Sequence, residues 1–359
     1  MLVFILLTNY IYIYIIIILM QRVFAFYKQF FERYAMSEIR DKFIVLKEYM
    51  QKNILGQETL VEKLIITLLA DGHALLEGAP GLAKTKAIKK LSECIDATFN
   101  RIQFTPDLLP SDITGSEIFV ASTGHFEFRA GPVFANLLLA DEINRSPAKV
   151  QAALLEAMAE HQVSIGGKQY KLPRLFMVLA TQNPIEHEGT YSLPEAQLDR
   201  FLMYIKIEQP STDVERKILH LVRGEELQNL ENKDAERECA LSVKDVMTAR
   251  GEAFGVHMSD AVEEYMIQLI MATRNPAKYD EKLKNALSYG ASPRATIALD
   301  KCAKIHAWLA GRDYVTPEDI HAVVYDVLRH RIILSFEAQA NGLTADNVIT
   351  RLLKLVPLP

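Results

Sequence analysis

The chain has 359 residues, 24% of them charged, and a formal net charge of −5, a length that allows two domains with sizeable cores. Its slight acidity argues against a general nucleic-acid binder, which needs a surplus of lysine and arginine against phosphate. Cys94, Cys239 and Cys302 are scattered without a Cys-x-x-Cys pair, and no His-Glu-x-x-His arrangement occurs. A disulfide framework and the common zinc sites are thereby excluded, and a reducing cytoplasm is the expected compartment.

Residues 1–20 carry no charge and are crowded with Ile, Leu and Tyr, a run long enough to span a bilayer. Arg22, Lys28 and Arg33 follow, so an anchor here would leave the remaining chain in the cytoplasm. The stretch Ile11-Tyr12-Ile13-Tyr14-Ile15-Ile16 also has the composition of translated AT-rich DNA, and a misassigned start is the second reading. A helix is expected over residues 39–51, then a turn at Ile54-Leu55-Gly56-Gln57 and another helix.

The apolar segment 73–77 reads as a strand, and Gly78-Ala79-Pro80-Gly81-Leu82-Ala83-Lys84-Thr85 follows it and opens a helical pattern. That is the order of a phosphate-binding loop. Glycines allow a tight turn with backbone N–H groups facing an anion, Lys84 can reach the β/γ-phosphates, and Thr85 offers a hydroxyl to Mg²⁺. The N-terminus of the following helix adds its positive dipole end. Ala83 stands where the second glycine of the pattern is expected.

A second apolar strand is expected over residues 99–105, with Gln103 near its end. Next come Glu117-Ile118-Phe119-Val120, a Ser122-Thr123-Gly124 turn and Phe126-Glu127-Phe128-Arg129, which read as a hairpin. A third strand, 136–142, is an apolar run ending in Asp141-Glu142, as in a buried parallel strand of Walker B type. Asp141 can hold Mg²⁺, and Glu142 can polarise the water that attacks a γ-phosphate. Asn144 and Arg145, just beyond, either face a neighbouring subunit's nucleotide or cap a helix.

A Gly166-Gly167 turn between alternating arms marks a second hairpin over residues 162–172. The strand 175–181 leads to Asn183, a candidate for orienting the lytic water, and a short helix then delivers Arg200 ahead of a fifth strand, 201–207. Strands alternating with helices argue for a parallel sheet covered on both faces, with ligand at the strands' carboxyl ends. From Thr212-Asp213-Val214-Glu215, a capping box, the pattern turns wholly helical. Further helix starts are expected at Ser242, Ser259, Ser292-Pro293 and Thr316-Pro317, with Gly290 and Gly311 as stops. Arg294 then sits in the first turn of a helix, where a cation opposes the dipole and an anionic partner is the natural complement.

The order of these segments resembles that of AAA+ ATPases, and the strings Gln103-Phe104-Thr105-Pro106-Asp107, Asp141-Glu142-Ile143-Asn144-Arg145 and Leu198-Asp199-Arg200-Phe201 resemble the MoxR family more closely. The resemblance runs from about Met36 to the C-terminus. Alanine at position 83 is common in that family, whereas Ser192 replaces a frequent proline. The resemblance implies a P-loop NTPase αβα sandwich over residues 36–209 and an all-α lid over 210–359. Met36-Ser37-Glu38 resembles an ordinary beginning for the family, so we take residues 1–35 as a misassigned start, with a membrane anchor as the alternative.

Further implications follow from the family. ATP and Mg²⁺ are the expected cofactors, with Thr85 and Asp141 on the metal and Glu142, Asn183, Arg200 and Arg294 as catalytic residues. Asn183 corresponds to sensor 1, Arg294 to sensor 2 on the γ-phosphate of its own subunit, and Arg200 to a finger reaching the next subunit's site. Gln103 is expected to contact Glu142 when nucleotide is absent. The assembly is a homo-oligomeric ring, usually a hexamer, whose two hairpins either face the pore and grip a substrate or are ordinary surface hairpins. The implied activity is chaperone-like remodelling of client proteins, often with von Willebrand factor A domains, driven by rotation of the lid against the core. Rival readings are a nucleic-acid motor, which the hairpins' sparse basic residues disfavour, and a nucleotide-gated scaffold, which Glu142 and Arg200 disfavour.

Overall fold

The computed structural model describes residues 38–359 other than 80, 81, 83, 123, 184–189 and 231–238. The reading of residues 1–35 lies outside the described residues, as do Pro80, Gly81 and Ala83 of the glycine loop. Among the described residues no helix is long and apolar enough to cross a membrane.

Helix α1 (residues 38–53) buries Phe43, Leu46 and Met50 on one stripe, the spacing of an amphipathic helix. It is followed by α2 (Glu58–Leu69), β1 (Ala74–Glu77), α3 (Lys84–Cys94) and β2 (Phe99–Gln103). A one-turn helix α4 (Pro110–Thr114) then opens the hairpin of β3 (Gly115–Val120) and β4 (His125–Ala130). Strand β5 (Leu137–Asp141), helix α5 (Ala148–Glu160) and the hairpin of β6 (Gln162–Ile165) and β7 (Lys168–Lys171) come next. Strand β8 (Met177–Gln182), the short α6 (Glu195–Leu198) and β9 (Met203–Lys206) complete this part.

All five expected sheet strands are present, in the order β2-β5-β8-β1-β9 and parallel throughout. Alternation along each strand makes two cores. Leu76, Leu137, Leu139, Met177 and Leu179 point to one face, while Leu75, Leu138, Ala140, Val178 and Ala180 point to the other beneath α5. The register aligns the carboxyl ends, with Gln103 opposite Asp141 and Glu77 opposite both Gln182 and Lys206. Polar residues therefore line one edge of an apolar sheet.

The remaining chain is mainly helical: α7 (Thr212–Leu230), α8 (Val243–Phe254), α9 (Asp260–Arg274), α10 (Pro293–Leu309), α11 (Pro317–Leu328), α12 (Phe336–Ala340) and α13 (Ala345–Leu355). A small pair, β10 (Leu287–Tyr289) with β11 (Ile333–Leu334), sits among them. Ser242, Ser259, Ser292 and Thr316 are helix N-caps as expected. Two details differ. Helix α7 begins at Thr212 itself, with the Glu215 N–H on the Ser211 carbonyl, and Gly290 ends β10 rather than a helix because a side chain there would collide with the Thr273 carbonyl.

The helical part packs directly on the sheet. Its apolar residues, Trp308 and Val323 among them, belong to one continuous cluster with Leu76 and Leu139. Lys63 of α2 pairs with Asp326 of α11 at 3.2 Å, and Arg250 of α8 donates to the Leu68 carbonyl and to Asp71, both at 2.7 Å. Breaking such buried pairs is costly, which fixes how the two parts meet.

Candidate nucleotide site

The carboxyl edge gathers the phosphate-loop residues. Gly78 follows β1 directly, and a side chain on it would press on the Ile207 backbone at 3.2 Å, so this position calls for glycine. Lys84 opens α3 and its Nζ donates to the Gly78 carbonyl at 2.8 Å, closing the loop. Burial lowers the Lys84 ammonium from its ordinary pKa, opposed by the charges of Asp141, Glu142 and Glu77. Thr85 is the next residue of α3, whose first turn holds no acidic side chain. That helix end is open to an anion.

Beside the loop, Thr181 bridges the Asp141 carboxylate and the Glu142 backbone at the end of β5. Its hydroxyl donates to Asp141 Oδ1 at 2.6 Å and accepts from the Glu142 N–H at 2.9 Å. Arg101 donates to Asp141 Oδ2 at 2.6 Å. Glu142 adopts φ +56°, a left-handed conformation rare outside glycine and typical of functional sites. Its Oε2 accepts from Gln103 at 2.7 Å and from Arg145 at 3.0 Å. The expected Gln103 contact is present. Asn183 follows β8 and is buried. The helix-capping alternative for Asn144 and Arg145 does not hold for α5, whose N-cap is Pro147 without a side-chain bond.

Next to the loop lies a cavity of about 270 Å³, lined by Ile54, Leu55, Leu82, Ile218, Leu221 and Val222 among others. A flat apolar base fits such a slot. Thr85 and Asp141 supply the hard oxygen donors that magnesium takes, so the donor set fits that ion.

Arg200 and Arg294 lie elsewhere. Leu202, two residues past Arg200, bonds through its N–H to the His73 carbonyl at 2.8 Å, which places Arg200 at the amino edge of β1 and β9. The Arg200 guanidinium donates to the Leu155 carbonyl at 2.6 Å. Arg294 is drawn to the same edge by Asp199, at 3.6 Å, and Ser292 fixes the helix start by donating to Asp199 at 3.0 Å. Both arginines line a cavity of about 360 Å³ with Asp71, His73, His161 and Lys301. Arg294 thus lies with Asp199 at the amino edge rather than beside Lys84. The four-residue β1 alone spans about 13 Å between the two edges.

The amino edge is also where the helical part grips the sheet. Arg331, just past α11, donates to Asp199 at 2.8 Å and to the Phe201 carbonyl at 2.6 Å. His330 donates through Nε2 to the same carbonyl at 3.0 Å, and Arg329 to the Tyr204 carbonyl at 2.8 Å. His73 beneath the cavity accepts from the Val178 N–H at 3.0 Å and donates towards the Met158 carbonyl. Burial pushes its pKa down to about 4, so this imidazole is neutral.

Residues 73–203 match the ATPase family associated with various cellular activities (AAA), and residues 281–352 match the AAA lid domain. The chain is 44% identical over 311 residues to Chaperone MoxR1 of Mycobacterium tuberculosis, covering 86% of this chain and 80% of that protein. It belongs to the MoxR family of AAA ATPases. Protein MoxR of Paracoccus denitrificans is 34% identical over 296 residues, covering 79% of this chain and 86% of that one. The crystal structure of a Cytophaga hutchinsonii protein assigned as an ATPase superposes with a TM-score of 0.81 at 45% identity, covering 90% of this chain and 97% of that one. The MoxR-family core and lid are thus the fold seen here.

Several residues of the MoxR site escaped the sequence reading. Thr181 and Arg101 each lie at or near the end of an apolar strand, where a polar side chain faces the site rather than the core. Asp199 and Arg331 carry no local signal, because their meeting depends on how the lid docks.

Proposed function

We propose that this chain binds and hydrolyses ATP with Mg²⁺ in a ring and uses the cycle to remodel client proteins. The observation that carries this reading is the separation of two sets of charged residues. Lys84, Asp141 and Glu142 occupy the carboxyl edge, while Arg200 and Arg294 occupy the amino edge of the same sheet. A second copy, stacked edge to edge, supplies what each site lacks. We take residues 36–209 and 210–359 as the two working parts, acting in the cytoplasm.

The N–H groups after Gly78 and the start of α3 hold the phosphates, and Lys84 leaves the Gly78 carbonyl to meet the terminal ones. Thr85 and Asp141 would hold magnesium, which neutralises phosphate charge and fixes its orientation. Glu142 takes a proton from the attacking water once Gln103 and Arg145 release it, and buried Asn183 positions that water. Arg200 and Arg294 of the preceding copy stabilise the charge that develops in the transition state.

The relative named a chaperone supports a protein client. So do the hairpins: Phe119 and Phe126 pair across β3 and β4 with exposures of 54% and 65%, on a strand pair carrying Glu117 and Glu127. Exposed aromatics among carboxylates suit a polypeptide better than phosphodiester. A client with a von Willebrand factor A domain is the reading's specific form.

The test is phosphate release against protein concentration, with sedimentation of Glu142→Gln held in ATP. Turnover per chain rising steeply as rings form, and loss of turnover in Lys84→Ala, is the expected result. Full turnover by dilute monomer would refute the shared site. A protein retained by the Glu142→Gln ring and lost with Lys84→Ala would identify the client.

A further inference from the structure

We propose that Arg101 is the internal counter-ion of the metal-binding carboxylate, holding Asp141 in the nucleotide-free chain and yielding it to Mg²⁺ when ATP enters. This rests on the nucleotide reading above and adds a residue that the reading does not use.

The argument begins with the strand. In β2 the side chains alternate, with Ile102 and Phe104 buried and Arg101 and Gln103 exposed on the opposite side. As the sheet's edge strand, β2 has only β5 beside it, and Gln103 lies in register with Asp141. An arginine two residues earlier on that face reaches the end of the neighbouring strand. It forms a bond of 2.6 Å to Asp141 Oδ2, while Oδ1 is taken by Thr181. Arg101 also lies 3.4 Å from Gln103 Oε1, and Gln103 holds Glu142. One strand therefore engages both carboxylates of the site.

The exposure of the pair decides its role. The Arg101 side chain is 49% exposed and that of Asp141 14%. A half-exposed guanidinium keeps much of its hydration, so its pair with a carboxylate is weak compared with a buried one. A divalent ion bound to phosphate offers the same oxygen twice the charge in a compact sphere of hard ligands. Arg101 can thus keep Asp141 compensated while the site lacks a metal and still lose it to Mg²⁺. Without that guanidinium, the carboxylate would keep only the shared Lys84 ammonium near it and would repel the incoming phosphates more strongly.

Two opposite effects follow from removing the charge, and a loss of structure alone would not produce both. Binding of the fluorescent nucleotide mant-ATP is measured across a Mg²⁺ titration and in EDTA, for the full chain and for Arg101→Ala, Arg101→Gln and Arg101→Lys. Arg101→Ala and Arg101→Gln are expected to lower the half-saturating Mg²⁺ concentration by about fivefold, the scale of an exposed ion pair. In EDTA the same variants bind mant-ATP more weakly than the parent, whereas Arg101→Lys stays near the parent in both conditions. A Mg²⁺ midpoint that is unmoved or raised in both Arg101→Ala and Arg101→Gln overturns the assignment. If the parent chain binds no mant-ATP with or without Mg²⁺, the nucleotide reading itself falls, a result distinct from binding with an unmoved midpoint.

Discussion

Chains carrying Lys84→Ala and Arg294→Ala, each inactive alone, are expected to restore ATP hydrolysis when mixed. The expectation comes from the edge on which Arg294 sits. Ser292 and Asp199 hold the start of α10 at the amino end of β9, and Lys84 lies past the carboxyl end of β1. The strand between them is about 13 Å long, more than an arginine side chain spans. We propose on this placement that Arg294 serves a neighbour. An arginine supplied in trans is worth about 10³-fold or more in rate, so each parent variant should fall by at least that factor. In an equal mixture, a site with intact Lys84 faces a neighbour with intact Arg294 at about a quarter of interfaces, and hydrolysis should return to roughly that share of the unmodified rate. The assay is steady-state phosphate release, with sedimentation confirming mixed assembly. A co-assembled mixture no faster than the sum of its parents would show that Arg294 acts within its own chain and would refute the reasoning.

Three further outcomes are expected. Gln103→Leu removes the 2.7 Å bond to Glu142 and should raise client-free hydrolysis by about two- to fivefold, since one such bond contributes on the order of 1 kcal/mol; unchanged phosphate release at unchanged nucleotide affinity would count against it. Arg331→Met removes one donor each from Asp199 and from the carbonyls of Phe201, Leu202 and Val327 and should cost about 3–5 kcal/mol in urea unfolding. His73 has a folded pKa of about 4 against an ordinary 6.5. Below pH 6.5 the unfolded chain takes up a proton that the native site refuses, so stability present at neutral pH is lost as pH falls from 6.5 towards 4, by about 3 kcal/mol. Urea unfolding of the parent and of His73→Gln at pH 7 and pH 4.5 reads this difference, which should shrink in the variant.

What the sequence disclosed was local. Strands β1, β5 and β8 announced themselves by an apolar run, because a strand buried on both faces has little choice of residue type. Where a motif is contiguous, as in Asp141-Glu142, its residues share the end of one strand and so the same edge. Helix starts at Ser242, Ser259 and Thr316 were legible through their own hydrogen-bonding chemistry, and the one at Ser292 through Pro293 in its first turn. Arg294 was legible as a first-turn cation wanting an anion, yet the edge it faces was not. That depends on Asp199, 95 residues earlier by numbering, and on the docking of α10 against β9. Arg101 was missed for a related reason: an exposed arginine on an edge strand looks like any solvated side chain until the strand beside it is known.

The placement of Asp199 joins these observations into one mechanical statement. It precedes Arg200 in the chain, accepts hydrogen bonds from Ser292 and Arg331 and pairs with Arg294 at 3.6 Å, all three borne by the helical part. The carbonyls of Phe201 and Tyr204 are likewise held from that side by His330, Arg331 and Arg329. A shift of α10 and α11 relative to the sheet therefore cannot leave Arg200 where it was, because the segment that carries Arg200 is bonded to the turn after α11. The continuous apolar cluster beneath, shared by Leu76 and Trp308, opposes large independent rotation of the lid. Motion in this chain is thus better described as the lid and the amino edge moving together. In a ring, that movement would present or withdraw both arginines from the neighbouring site at once, so the conformation of one chain would set the reactivity of the next.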